Sequence, residues 1–408
     1  MDNRKLALER AQELKENIND YLEAQKNIET GFKMADRSAA NKNKLLNFYN
    51  ASEDDWNSWT WQMKNRISDV DTLKAFLNLS EDEAKELRDL SNQYRWAISP
   101  YYFSLIDFDN YRDSTIFKQA VPDIREASDD GEDDPMSEST TSPAPRITRR
   151  YPDRLIINVS NQCPMYCRHC QRRRNFGETD EHATMDQLKE AINYVKANPE
   201  IRDVLITGGD SLMLSNKVLD WLLGEVNDIE HVEIKRLGTR ALVTLPQRIN
   251  EELCEIIAKY PPIYISSQFN SPMEITPETQ KATDMLIKAG AVLGNQAVLL
   301  KDINDDPHVM KKLNHELLKV RIRPYYIFHA KTVKGTSHFI TKIETGINIM
   351  EHLRGYTSGL AIPTYIVNAP GGYGKTPLLP EYMVSTSEDD ITIRTWEKRV
   401  LQYPNKTY

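Results

Sequence analysis

Beyond residue 147 short apolar, β-branched runs alternate with longer stretches whose apolar residues recur every three or four positions. The runs lie at 155–159, 204–207, 232–237, 263–269, 291–300, 323–329 and 362–367, and helical patterns separate them at 185–197, 216–226, 250–260, 278–289 and 309–320. Strands alternating with helices of this length predict parallel βα units, with any site at the carboxyl ends of the strands. The expected class is therefore α/β. Periodicity alone does not separate an open barrel from a doubly wound sheet.

Upstream the pattern is helical. Leu6, Ala11, Leu14, Ile18 and Leu22 fall at roughly helical spacing in a region rich in Lys, Glu, Asn and Ala, which predicts one or two amphipathic helices acting as a packing or oligomer-contact arm. Ser52-Glu-Asp-Asp reads as a helix start before Trp56, Trp59 and Trp61, which are expected in the core, and Ser80-x-x-Glu83 has capping-box spacing. From Ser128 to Arg146 the composition turns to Asp, Glu, Ser, Thr and Pro, a mixture expected to form an exposed connection. The predicted organisation is a helical N-terminal region (1–127), an acidic linker (128–146), a barrel region (147–370), and a lysine-bearing segment with a tail (371–408).

Composition narrows the function classes. With 52 Lys and Arg against 60 Asp and Glu, the formal charge is −8, so a nucleic-acid partner is not expected. No apolar run reaches the length of a membrane span and the first residues form no apolar signal region, so a cytoplasmic enzyme of the reducing compartment is expected.

Three of the four cysteines, Cys163, Cys167 and Cys170, fall within eight positions of one another, followed at once by Gln171 and Arg172-Arg173-Arg174. The Cys-x3-Cys-x2-Cys spacing turns three soft thiolates onto one centre, where a closed site of zinc or iron normally takes four ligands. Either His169, His182 or Cys254 completes a structural zinc, or three cysteines hold an iron–sulfur cluster with one iron open. A second motif, Ala369 to Thr376, misses a P-loop by its first glycine, but Pro377 and Pro380 bar the helix that a P-loop lysine must open.

The cysteine loop after an apolar strand resembles the signature of the radical S-adenosylmethionine (SAM) enzymes. Joined with Thr148 to Arg154, the triple arginine and Asn368 to Pro377, it resembles the amino-acid 2,3-aminomutases from about Asp54 to Glu381. The resemblance implies a partial barrel of six βα units. It implies a 4Fe-4S cluster on Cys163, Cys167 and Cys170, and SAM near Gly208, Gly209, Asp210 and Gln296. It also implies pyridoxal 5′-phosphate (PLP) on Lys375, with its phosphate held by Arg150, Tyr151 and Arg154. An electron donor such as ferredoxin or flavodoxin and a homo-oligomer are implied as well. Where the lysine-specific members commonly have histidine this chain has Gln268, and its tail lacks the cysteines that bind structural zinc in some of them.

Substrate charge is legible at three positions. Arg172 matches the arginine that receives the substrate α-carboxylate. The two aspartates that receive the distal ammonium in lysine-specific members are here Lys331 and Asn368. A cation and an amide donor suit a carboxylate and reject an ammonium. The expected reaction is 2,3-amino migration on L-glutamate giving β-glutamate, with aspartate too short. The alternatives are the same migration on another amino acid such as L-lysine, or a zinc-stabilised binding protein without catalysis.

Overall fold

A computed structural model describes residues 3–128 and 130–406. Met1, Asp2, Asp129, Thr407 and Tyr408, at which the expected chain start, one linker position and the tail end fall, lie outside the described residues.

The chain folds around a nine-stranded sheet whose spatial order is its sequence order. Its strands are β1 (Ile147–Thr148), β2 (Arg154–Asn158), β3 (Asp203–Thr207), β4 (Ile234–Gly238), β5 (Ile263–Ser267), β6 (Val292–Leu299), β7 (Arg323–His329), β8 (Thr364–Asn368) and β9 (Lys375–Pro377). Strands β2 to β8 pair in parallel, whereas β1 and β9 are antiparallel edges. The edges do not pair, so the sheet curls into an open barrel of six crossovers, as the resemblance implied. The sixth crossover helix, Ile343–Leu353, has no counterpart among the predicted helices.

The first five crossover helices are capped by their own sequence, whereas Lys342 gives the sixth no side-chain cap. Thr184 and Gln187 form a capping box on Met185–Lys196, and Ser215, Asn250, Thr276 and Asp306 each accept a backbone N–H at the start of a later helix. On β6 the side chains alternate, Leu293, Asn295, Ala297 and Leu299 buried outward and Gly294, Gln296 and Val298 turned to the lumen. A register shift against β7 between Asn295 and Gln296 fits this strand to its neighbour.

The N-terminal helices and the barrel share one core. Leu45, Trp56, Leu73 and Phe103 belong to the same buried cluster as Leu155, Val204 and Tyr365. Both expected helix starts form capping boxes, at Ser52 and Ser80. Trp56 is buried, and Trp59 and Trp61 are partly buried against the core. The first fifty residues form three helices, of which Asn3–Glu16 buries no residue and leaves Leu6, Leu8 and Leu14 exposed. Among its described residues the acidic segment is largely exposed, as expected, but it departs from this at two positions. Met136 and Glu138 are buried and fold over the mouth of the barrel, because Glu138 finds arginine partners there. Past β9, β10 (Met383–Thr386), β11 (Asp390–Arg394) and β12 (Val400–Pro404) form a separate antiparallel sheet where only a tail was read.

Candidate active site

The carboxyl ends of the parallel strands open on a cavity of about 290 Å³. It is lined by Cys163, Cys167 and Cys170, by Gly208, Gly209 and Asp210, and by Gln296, Arg150, Arg172, Lys331, Asn368 and Lys375. These predicted residues come from six separated segments of chain and converge on one space. Tyr151 and Arg154 are not in the lining, but the Arg154 guanidinium stacks 3.8 Å above the Tyr151 ring, and Arg154 acts electrostatically on Lys375.

The cysteine loop is stapled from outside. Asp180 accepts from Arg66 and Arg95 at 2.5 Å each, from Gln162 at 2.9 Å and from the Tyr166 hydroxyl, while Arg66 also donates to the Cys163 carbonyl at 2.8 Å. Against the upward push of burial, the hydrogen bonds from Tyr166 and Gln162, and then Arg66, hold the Asp180 carboxyl well below the usual carboxylate range. On the other side the buried Glu126 accepts from Arg168 and Arg173. Arg240 donates to Cys167 Sγ at 2.8 Å and is itself held by Glu274 and Gln119. None of these staples was read from the sequence, since their partners lie up to 121 positions apart.

The candidate fourth zinc ligands are otherwise engaged. His169 Nε2 faces the side-chain amides of Gln268 at 3.2 Å and Asn270 at 3.3 Å, and burial pushes its pKa well below the ordinary value. His182 forms a backbone bridge with Ser160 and Cys254 sits on the outer helix Glu251–Lys259, and neither lines the cavity. Among the described residues no three His, Cys, Asp or Glu side chains converge on a single ion.

The turn after β3 needs its glycines. A Cβ on Gly208 would sit 2.5 Å from the Ser160 carbonyl oxygen, and one on Gly209 would sit 2.4 Å from that of Gln162. Asp210 is spent inside the fold, accepting from Thr239 and from the backbone of Arg240 and Leu212 at 2.7 to 2.9 Å, which leaves the glycine backbone as the face toward the cavity.

Lys375 opens β9 and pairs across the hairpin with Asn368, so it starts no helix and the P-loop reading falls. Positive φ at Gly371, Gly372 and Gly374 bends the preceding loop, and Gly372 passes so close to Met136 that a Cβ would lie 2.7 Å from its carbonyl oxygen. Lys375 Nζ lies over the rings of Tyr326 at 5.0 Å and Phe328 at 5.5 Å. Burial first, then Arg236, Arg154 and Arg150, bring its pKa down to about 8.

Cations crowd the lining further. Lys331 lies 5.6 Å over the Phe328 ring, and burial with Arg150 and Arg172 brings its pKa down to about 7. Two donors on this lining, Arg150 Nη1 and Asn368 Nδ2, are buried without a hydrogen-bond partner. Unpaired buried donors of this kind are costly in a folded chain and fit a site built to take anions. Cationic side chains and two unpartnered donors thus make this lining suited to anionic groups.

Comparison with known proteins agrees with this chemistry. Residues 157–306 match the Radical SAM superfamily and residues 350–407 match a family described as Lysine-2,3-aminomutase. The chain is 54% identical to a glutamate 2,3-aminomutase of Clostridioides difficile, over 98% of this chain and 94% of that protein. It is 47% identical to an L-lysine 2,3-aminomutase of Fusobacterium nucleatum (87% and 84%) and 44% identical to one of Clostridium subterminale (87% and 86%).

Proposed function

The chain belongs to the lysine 2,3-aminomutase family of radical SAM enzymes, and from that premise we propose that it moves the amino group of L-glutamate from C2 to C3, giving β-glutamate. The observation that carries the choice of substrate is that Lys331 and Asn368, whose Nδ2 is unpartnered, line the same cavity. Both are donors, and a buried ammonium brought there would meet a cation instead of a carboxylate.

Cys163, Cys167 and Cys170 would hold the 4Fe-4S cluster, Gly208, Gly209, Asp210 and Gln296 would face SAM, and Lys375 with Arg150, Tyr151 and Arg154 would hold PLP. Bound there, these groups supply the radical that takes hydrogen from C3 and the conjugated system across which nitrogen migrates. The chain supplies the geometry. Arg172 receives the α-carboxylate through its guanidinium, and Lys331 with Asn368 receives the γ-carboxylate, which fixes C2 and C3 between the two ends. Lys375 Nζ, half neutral near pH 8, supplies a free amine where an ordinary lysine would be almost wholly protonated. Met136 and Phe328 close the cavity with apolar surface and exclude water.

A low-potential one-electron donor such as ferredoxin or flavodoxin would supply the reductant, in the reducing cytoplasm that cluster thiols require. Exposed Leu6, Leu8 and Leu14 on the first helix support a homo-oligomer. Among the described residues no helix is long and apolar enough to cross a membrane.

The test is an anaerobic assay of protein reconstituted with iron, sulfide, PLP and SAM, offered glutamate and lysine in parallel with products identified by NMR. β-Glutamate alone is expected, from a brown protein containing iron and sulfide; β-lysine as the main product would refute the assignment.

The same wall sets a pH dependence. Lys331 is charged below about pH 7 and loses its proton as pH rises through that value, so the group that receives the γ-carboxylate is progressively lost on the alkaline side. kcat/KM for glutamate, which reports the free enzyme, is expected to fall above pH 7 by about tenfold per pH unit at the limit. In Lys331→Arg the charge persists and this fall should disappear from the profile.

A further inference from the structure

The carboxylate of Glu138 stands at the centre of the cationic wall, yet it comes from the acidic segment and not from the barrel. It accepts from Arg172 Nε at 3.0 and 3.1 Å, from Arg172 Nη2 at 2.8 Å and from Arg174 Nη2 at 2.9 Å. Arg150 Nη2 lies 3.8 Å away. The side chains of Glu138 and Arg172 are only 8% and 10% exposed. One buried carboxylate therefore gathers three guanidinium groups whose mutual repulsion would otherwise spread them.

The geometry of the pair matters as much as its charge. Glu138 occupies the Nε and Nη2 edge of Arg172, and among the described residues no protein acceptor holds Nη1. A guanidinium is a rigid planar fork, so fixing one edge fixes the direction of the other. Arg172 lines the cavity, and Arg150 on the same wall has its Nη1 buried without a partner. The lining thus offers two guanidinium groups, both near Glu138 and both with an unengaged Nη1.

We propose that Glu138 is a positioning residue of the substrate site: it pins one edge of Arg172 so that Nη1 meets the substrate α-carboxylate, and through Arg150 it ties that subsite to the neighbouring anion subsite. The proposal rests on the reading of Arg172 as the carboxylate receiver. It assigns a role in the reaction to the acidic segment, whose composition suggested only a connection.

The test uses the reconstituted holoenzyme. Glu138→Gln is expected to raise KM for glutamate about tenfold or more while kcat changes less than about threefold, with Glu138→Asp intermediate. Glutarate, which offers both carboxylates and no amine, should lose calorimetric affinity by a similar factor. In an Arg172→Lys background the additional effect of Glu138→Gln should shrink below about threefold, because the fork that it aims is gone. An unchanged KM with a lowered melting temperature would reduce Glu138 to a packing contact, and a lowered KM would make it a competitor of the substrate; either overturns the proposal. If Arg172→Lys alone leaves KM for glutamate unchanged, the reading of Arg172 fails. If it raises KM and Glu138→Gln does not, only the role of Glu138 fails.

Discussion

Replacing Lys331 and Asn368 together by aspartate is expected to lower kcat/KM for glutamate about a thousandfold or more, and to make lysine a measurable substrate. On the proposed reading each wild-type residue donates to the γ-carboxylate, and a hydrogen bond involving a charged group contributes about 1.5–3 kcal/mol. The double variant removes both contacts and places two carboxylates on a wall where burial keeps charges poorly screened. A loss of about 4 kcal/mol or more follows, close to three powers of ten. Lys331→Asp alone should account for most of it, since it reverses a charge, whereas Asn368→Asp only adds one. The two positions line one cavity, so their effects should not be additive. Parallel kinetics with both amino acids, with circular dichroism to verify the fold, decide the matter. Glutamate kcat/KM within about threefold of wild type would show that the γ-carboxylate binds elsewhere.

How much of this wall was legible depended on whether its chemistry lay in single residues or in pairs. The parallel strands were readable because their apolar, β-branched runs alternate with helical stretches, and the cysteine loop because three thiols in eight positions have no ordinary packing use. The sixth crossover helix was hidden by Gly346, which costs a helix about 1 kcal/mol relative to alanine. Packing requires it there, since a Cβ at that position would lie 2.1 Å from the Tyr365 ring. The C-terminal sheet was hidden for a different reason. Its strands are mostly exposed, with Met383, Val400 and Tyr403 more than half accessible, so no buried face imposes a strong alternation. Glu138 was hidden by distance. Among Asp, Ser and Thr residues it looks like one more solvated acid, and only the fold brings it to an arginine 34 positions away.

Lys375→Ala is expected to abolish turnover to the detection limit, a loss of about a thousandfold or more, with the cysteine cluster intact. The variant removes the amine that stands over both Tyr326 and Phe328. Lys375→Arg separates charge from chemistry: it keeps a cation at this place but presents no neutral amine, so it should be as inactive as alanine. The wild-type amine gains its reactivity from burial and from the neighbouring Arg236, Arg154 and Arg150, which bring its pKa to about 8 and favour the neutral form as pH rises through that value. Covalent capture of PLP by the stripped wild-type protein should therefore accelerate from pH 7 to 9 and then level off. Visible absorbance of the protein-bound cofactor reports that rate directly and is independent of the radical chemistry. Arg154→Gln should move the midpoint of that profile upward, because one of the cations that disfavours the protonated lysine is gone. A profile that did not move would remove Arg154 from the causes of the lowered pKa, and undiminished turnover in Lys375→Ala would remove this lysine from the mechanism.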